Sequence, residues 1–498
     1  MKEMNAKQIE KDAIVTLTIE DMTSEGEGVG HVDGYALFVK DAVVGDVITA
    51  KVMKTKKTYG YARLMTIEKP SPDRVEAPCP NARACGGCTL MAMSYEAQLA
   101  YKQRLVLNNL TRIGGIPLGE TGAKGALIEP ILGMEEPFRY RNKAQFPVGR
   151  DRDGRIVMGF YAGRTHSIIP CEDCLIGSEA NKDLLAAVKH YMETCGVEPY
   201  DEAAGTGLVR HVLIREGYAT GEIMVCLVVN GTKLPEEARL IEALLSLPLS
   251  KESLHAGEPA RHIASIVLNV NRKQTNVILG TECRTLYGRD YIEDCLGDVR
   301  YRISALSFYQ VKPTQAVRLY RKALEYAELS GNETVWDLYC GIGTISLFLA
   351  KKAGEVYGVE IVPEAIRDAK ANAALNGLAN THFYVGAAEE VGPQLYREQK
   401  VKADVIVVDP PRKGCEESLL STMVEMAPKR IVYVSCDSAT LARDLKYLTA
   451  HGYELKKVQV VDQFGHSTHV ETCVLLVRES VRDDEMVSIK VDMSGISL

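Results

Sequence analysis

The chain has no apolar run as long as the roughly 20 residues that cross a membrane. Its first residues, Met1-Lys2-Glu3-Met4-Asn5-Ala6-Lys7, are polar and do not resemble a secretory leader. These two absences predict a cytoplasmic protein without membrane contact. Positive charge is not in excess: the 498 residues carry a formal net charge of −7, so any contact with nucleic acid must come from local basic patches on an acidic background. A disulfide framework is also excluded. Thirteen cysteines are an odd number in a long chain, and a reducing cytosol does not favour bridges. Their remaining uses are buried inert thiols and metal or catalytic thiols. No internal repeat or low-complexity tract stands out, and no segment demands an obligate protein partner.

The length fits about three domains. Residues 8–69 read as a small β-barrel. Short alternating runs at 15–19, 35–39 and 47–52 are broken by Gly26, Gly28 and Gly30 and by the turn Gly45-Asp46. Within it, Lys51, Lys54, Lys56, Lys57, Tyr59, Tyr61 and Arg63 form a stretch with no acid. Basic residues interleaved with aromatics suit RNA phosphates and base stacking. Lysines on a solvated edge strand, placed against aggregation, are an equal reading. After the linker Lys69-Pro70-Ser71-Pro72, residues 75–300 read as an α+β central domain, with antiparallel strands at 208–215 and 223–229, another strand at 265–270 and a loop at 256–259. Residues 301–480 alternate strands with helices, the pattern of a parallel sheet covered on both faces. Strands are predicted near Val335, Val356, Phe383, Val405, Val432, Val458 and Val474. Residues 481–498 read as a tail.

Three constellations carry chemistry. In the first, Asp337-Leu338-Tyr339-Cys340-Gly341-Ile342-Gly343 runs from a strand into a helix, and the glycines allow close approach of a ligand. Glu360 ends the next strand, about 20 residues on, where an acid binds ribose hydroxyls. Ser346 stands where a nicotinamide fingerprint has its third glycine, and the Asp-x-x-Cys-Gly-x-Gly form resembles that of S-adenosylmethionine-dependent methyltransferases. In the second, Asp409-Pro410-Pro411-Arg412-Lys413-Gly414 and Ser435-Cys436-Asp437 end two apolar runs, which brings an acid and a thiol to one rim of the sheet. Methylation of a pyrimidine at carbon 5 needs such a thiol. The ring carbon is too weak a nucleophile until a thiolate adds at carbon 6, and a base must later remove the carbon-5 hydrogen. Glu471, opening a strand beside that rim, is the expected base, with His466 and His469 as rivals. In the third, Cys79, Cys85 and Cys88 are spaced six and three apart, with Cys171 and Cys174 available as a distant fourth ligand. Four thiolates fit an iron–sulfur cubane or a structural zinc.

Taken in order, Cys79-x5-Cys85-Gly-Gly-Cys88, Phe308-Tyr309-Gln310, Asp337-x-Tyr339-Cys340-Gly341, Asp409-Pro-Pro-Arg-Lys-Gly414, Ser435-Cys436 with Ala439-Thr440-Leu441-Ala442-Arg443-Asp444, and His469-Val470-Glu471 resemble the RNA uracil-5-methyltransferase family, specifically its bacterial iron–sulfur 23S rRNA members. The resemblance implies an N-terminal TRAM (OB-like) barrel and a Rossmann-like α/β methyltransferase sheet beside the α+β central domain. It implies S-adenosyl-L-methionine held by Gln310, Tyr339, Gly341, Glu360 and Asp409, Cys436 as nucleophile and Glu471 as base. It also implies a [4Fe-4S] cluster on Cys79, Cys85, Cys88 and Cys174, and a flipped uridine of 23S rRNA as substrate. A tRNA substrate, or RNA binding without catalysis, are the alternatives. Residues 138–143 look like the family's basic strand, so Arg139, Arg141 and Lys143 are expected on RNA phosphates. One departure is notable. The family's nucleophile is commonly followed by Asn-Pro, and here Asp437-Ser438 follow. A carboxylate next to Cys436 would, if close in space, disfavour the thiolate.

Overall fold

The computed structural model describes residues 9–119, 125–163, 165–249 and 260–479. The expected loop at 256–259 and the tail at 481–498 lie outside them. Six strands make the N-terminal sheet, in the spatial order Ile14–Thr18, Val47–Thr55, Tyr59–Lys69, Tyr35–Lys40, Gly28–Val32 and Asp21–Met22. Alternation puts Leu17, Leu37, Val39, Ile48, Ala50 and Val52 inside. The sheet curls until Gly30 meets the first strand: a Cβ there would lie 2.3 Å from the Thr18 carbonyl oxygen, so only glycine fits. The basic stretch lies on Val47–Thr55 and Tyr59–Lys69, which have partners on both sides. The edge-strand reading therefore fails.

The central sheet has seven strands, in the order Ile168–Pro170, Ile156–Tyr161, Lys143–Arg150, Val209–Glu216, Glu222–Val229, His262–Val270 and Glu282–Gly288. The expected antiparallel pair is there, and His262–Val270 runs parallel to Glu222–Val229. Helices Ala180–Thr194 and Glu237–Leu245 bury one face with Val212, Ile214 and Val225. Leu213, Met224 and Cys226 point the other way and share a core with the hairpin Tyr291–Leu296/Val299–Ser304 and with the third unit.

All seven strands expected in that unit form, as Thr334–Leu338, Glu355–Glu360, Thr381–Val385, Val405–Val408, Arg430–Ser435, Tyr453–Val461 and Glu471–Arg478. Numbered in chain order they lie 3-2-1-4-5-7-6. The sheet is not wholly parallel as expected. Glu471–Arg478 inserts antiparallel between its two neighbours, because the loop from 462 to 470 is too short for the crossover that a parallel strand needs. Two further strands, Ala126–Leu132 and Leu118–Gly119, extend the sheet beyond Tyr453–Val461. The helix Tyr95–Arg112, capped by Ser94, packs Val106 and Leu110 into the core that holds Leu441, Leu445 and Leu448. Much of residues 95–132, placed in the central domain by linear reading, thus belongs spatially to the third sheet. Lys102 and Asp462, both fully buried and 2.6 Å apart, join this segment to the loop before Glu471. No helix among the described residues is long and apolar enough to cross a membrane.

Candidate active site

The strand Thr334–Leu338 turns at Tyr339, whose φ of 78° is unusual for a side chain of that size. The Tyr339 and Cys340 N–H groups both donate to the Val359 carbonyl, 3.0 Å each, which pins the turn to the next strand. Gly341 has φ 56°, and a Cβ there would meet open space. Its N–H donates to Glu360 at 3.2 Å, and Glu360 accepts a second N–H from Val362 at 3.0 Å. The acid is thereby fixed at the mouth of the turn. Ile361, Val362 and Val385 stand exposed beside it, an apolar wall that the sequence reading missed because it lies on two strand ends. The serine in place of a third glycine has a structural role: the Ser346 hydroxyl donates to buried Asp337. Burial pushes the Asp337 carboxyl up to about 7, with the Glu360 charge adding to the rise.

Asp409 and Cys436 leave the ends of adjacent parallel strands, Val405–Val408 and Arg430–Ser435. Glu471 arrives from the antiparallel side. The ladder ends on the pair Ser435–Thr472, one residue short of Cys436 and Glu471, and the Glu471 charge acts on the Cys436 thiol. Glu471 is only 4% exposed. Burial and then Asp409 push its carboxyl up to about 8, while Arg412 pulls it back. Burial and Asp337 push Asp409 up to about 7. Burial, Glu471 and Asp409 push the Cys436 thiol up to about 11, against Arg412. Arg412 is therefore the cation of the rim, and its Nη2 lies 3.3 Å from His469 Nε2.

The loop carrying Asp409 and Arg412 is tied down by the helix Ser438–Ala450. Buried Asp444 accepts the Cys415 N–H at 2.8 Å and the Tyr433 hydroxyl at 2.6 Å. Arg443 donates to the carbonyls of Lys413 and Cys415. The Arg443-Asp444 part of the sequence motif thus positions the loop. The Asp437 carboxylate, whose nearness to the thiol the sequence left open, is committed to the backbone. It caps the same helix, accepting the N–H groups of Ala439 and Thr440 at 3.0 Å each. The two histidines separate. His469 stands at the rim. His466 is buried at φ 65°, bridged to Gln98 and packed on Phe138, and burial lowers it to about 4. It is a neutral joint and an unsuitable base. Gln310 is buried, with its side-chain oxygen bonded to Gln463.

Residues 268–479 match the sequence profile described as tRNA (Uracil-5-)-methyltransferase, and residues 11–65 match the TRAM domain. An uncharacterized RNA methyltransferase of Halalkalibacterium halodurans is 52% identical over 468 residues, 94% of this chain and 98% of the relative. One from Listeria monocytogenes is 47% identical over 473 residues, covering 95% and 99%. The solved tRNA (uracil-54, C5)-methyltransferase of Pyrococcus abyssi, in complex with S-adenosyl-L-homocysteine, aligns with a TM-score of 0.72 at 26% identity, covering 93% of this chain and all of the other. The chain belongs to the RNA uracil-5-methyltransferase family. It is an S-adenosylmethionine-dependent RNA methyltransferase with an RNA-binding TRAM barrel and a Rossmann-like sheet.

In this family member the cysteine-rich segment closes on itself. Cys79, Cys85, Cys88, Cys171 and Cys174 line one cavity, floored by Met91, Phe160 and Ile169. Among the described residues no three metal-ligating side chains converge on a single-ion site. The thiols are not equivalent. The Cys171 thiol donates to Cys174, and with the N–H groups of Ile176 and Gly177 this lowers Cys174 despite its burial. Cys171 is raised in return. Burial and the neighbouring thiols push Cys88 up to about 12. Arg139, expected on a strand facing RNA, sits in a left-handed turn at φ 50° before the strand begins at Lys143. Its guanidinium forks onto Asp173 at 2.5 and 2.8 Å and reaches the Cys174 carbonyl, so it braces the cysteine loop.

Proposed function

We infer that the protein methylates carbon 5 of a uridine in 23S rRNA through a transient covalent bond to Cys436. The observation that carries this reading is the shared rim: a thiol near a buried carboxyl, with Arg412 acting on both, next to a glycine turn with room for a ligand. Gln310, Tyr339, Gly341, Glu360 and Asp409 are the donor-site residues. Cys436 as thiolate adds to carbon 6 of the uracil, and the ring electrons move toward carbon 5 as an enolate. Carbon 5 takes the methyl group from the donor's sulfonium, whose carbon–sulfur bond breaks. Glu471 accepts the carbon-5 proton, and the carbon 6–sulfur bond opens to free the enzyme. The ring must leave its stack so that the thiol can approach its face. A carboxyl whose proton affinity lies near neutrality suits the base role.

Cys79, Cys85, Cys88 and Cys174 are the proposed ligands of a [4Fe-4S] cluster, with Cys171 as a hydrogen-bond donor to Cys174. Zinc with its thiolates about 2.3 Å away needs the sulfurs to converge tightly. Thiols spread around a cavity suit a larger cluster. When bound, the cluster would hold the cysteine loop in place.

The TRAM barrel and the cysteine cavity support ribosomal RNA as substrate. The likeness to the Pyrococcus abyssi enzyme supports tRNA as a second reading. Purified protein is to be assayed separately on undermodified 23S rRNA and tRNA, and 5-methyluridine mapped in rRNA from cells lacking the protein. A missing methyl group in rRNA supports the first reading. Loss from tRNA alone replaces it with the second. Transcript containing 5-fluorouridine should become linked to Cys436, and failure to form that bond removes the covalent reading.

A further inference from the structure

Five thiols line the cysteine cavity, and a cluster held by Cys79, Cys85, Cys88 and Cys174 leaves Cys171 over. The spare thiol is buried and in contact with Cys174. The two belong to one Cys-x-x-Cys run, Cys171-Glu172-Asp173-Cys174, a spacing that keeps a second thiol within reach of the first.

The two walls of the cavity are held differently. Residues 170–177 are anchored without any metal. The Cys171 N–H donates to the Met158 carbonyl at 3.0 Å, and the Leu175 and Ile176 carbonyls accept from the N–H groups of Arg139 and Arg141 at 2.8 Å each. The Gly177 N–H closes the turn on the Cys174 carbonyl at 2.9 Å. The Arg139 guanidinium clamps Asp173, which lies between the two cysteines, and reaches the Cys174 carbonyl. The opposite wall is held lightly. Its helix Ala82–Cys85 is 4 residues long and buries none of them. The side-chain bonds from Asn81 to the Pro170 carbonyl and from Arg83 to Asp41, 3.1 Å each, are both exposed. When a cluster leaves, Cys171 and Cys174 therefore stay in contact, while Cys79, Cys85 and Cys88 lose what gathers them.

We propose that Cys171 is the resolving thiol of a reversible disulfide with Cys174, which forms when the cluster is lost and closes the site to a new cluster until it is reduced. The switch rests on the cluster reading of the cavity and adds a role for the fifth thiol. The oxidant is a low-molecular-weight disulfide. Cys174, the more exposed of the pair, attacks one of its sulfurs and releases the other as a thiol. The Cys171 sulfur then attacks the Cys174 sulfur of the mixed disulfide, and the second small thiol leaves with the Cys171 proton. Two electrons and two protons pass from the protein pair to the small disulfide, and one sulfur–sulfur bond replaces another. The bridge keeps Cys174 off the irreversible sulfinic and sulfonic steps of oxidation.

The test uses full-length protein isolated without air, stripped of iron with a chelator and exposed to oxidised glutathione. Remaining thiols are alkylated, and the peptides are mapped by mass spectrometry. The expected product is a Cys171–Cys174 bridge that carries no glutathione. Iron and sulfide should fail to restore colour to this form until dithiothreitol is added. In Cys171→Ser the second step is missing, so glutathione should remain on Cys174. Unchanged S-adenosylmethionine binding by that variant shows that it is folded. Alkylated Cys171 in the treated unaltered protein overturns the proposal, as does Cys174 bridged to Cys79, Cys85 or Cys88. Loss of glutathione from Cys174 in Cys171→Ser overturns it too, since another thiol is then the resolving one. Iron content of the untreated preparation reports on the cluster itself, so failure of the switch and failure of the cluster reading are read separately.

Discussion

Two thiols in this molecule are treated in opposite ways. Cys174 receives hydrogen bonds from Cys171 and two backbone N–H groups, and its thiolate is favoured before anything binds. Cys436 is held up first by burial and then by the Glu471 and Asp409 charges, so its thiolate is disfavoured, with Arg412 and a backbone hydrogen bond in opposition. A metal ligand needs a standing negative charge. A high proton affinity makes Cys436 a poorer leaving group, but it keeps the resting thiol shielded from oxidation and alkylation until substrate arrives. The thiol that looks less reactive is therefore the one proposed as nucleophile.

Substitution of each thiol breaks this contrast most sharply. Cys436→Ala should lower methyl transfer at least ~10⁴-fold while RNA binding survives, measured by methyl incorporation and by filter binding. Cys174→Ala should instead remove iron and colour from an anaerobic preparation and leave S-adenosylmethionine binding in place. Next is the base. Glu471→Gln should slow turnover ~10²–10³-fold and accumulate an RNA–protein adduct visible on a denaturing gel. Normal turnover without adduct would give the role to another group. Third, alkylation of Cys436 by iodoacetamide should rise with pH toward a midpoint of about 11. Removing the Glu471 charge should move that midpoint down, so an upward shift would reverse the assignment.

A smaller effect concerns stability. Asp337, at about 7, and Glu471, at about 8, bind their protons more tightly folded than unfolded. Their contribution is complete below the usual carboxyl range near 4 and is lost as pH rises through 7 to 8. The Tm should therefore fall between pH 6 and pH 8. Glu471→Gln should flatten the accompanying fall in stability by on the order of 1 kcal/mol per pH unit, the value for one titrating group. The smallest effect should come from Cys171→Ser, which keeps a donor to Cys174 and should leave iron content near normal.

The seven strands of the catalytic sheet were legible because each is a short apolar run between turn residues, and the rim residues because they end those runs. The reversal of Glu471–Arg478 was not, since direction leaves no mark on side-chain pattern. The place of Ala126–Leu132 was hidden for a different reason. Its partner is some 330 residues away, and Pro130 interrupts its alternation. The direction of the Asp437 carboxylate was not legible, because an N-capping side chain turns back into its own helix. Arg139 has the same lesson: one left-handed residue ahead of a strand redirects it to Asp173. Arg412 had a usable signal, as the residue directly after Asp-Pro-Pro, but its influence on the thiol appears only when the strands are laid side by side.

The pairing of Ala126–Leu132 with Tyr453–Val461 has a bearing on how the protein is made. During synthesis at ~5–20 residues per second, the earlier strand leaves the ribosome a good fraction of a minute before its partner exists. Until then Lys102 also has no counter-ion, because Asp462 is still untranslated. The nascent chain therefore waits with the Ala126–Leu132 edge unpaired until residues 453–461 are made, and the fold closes only with that late segment.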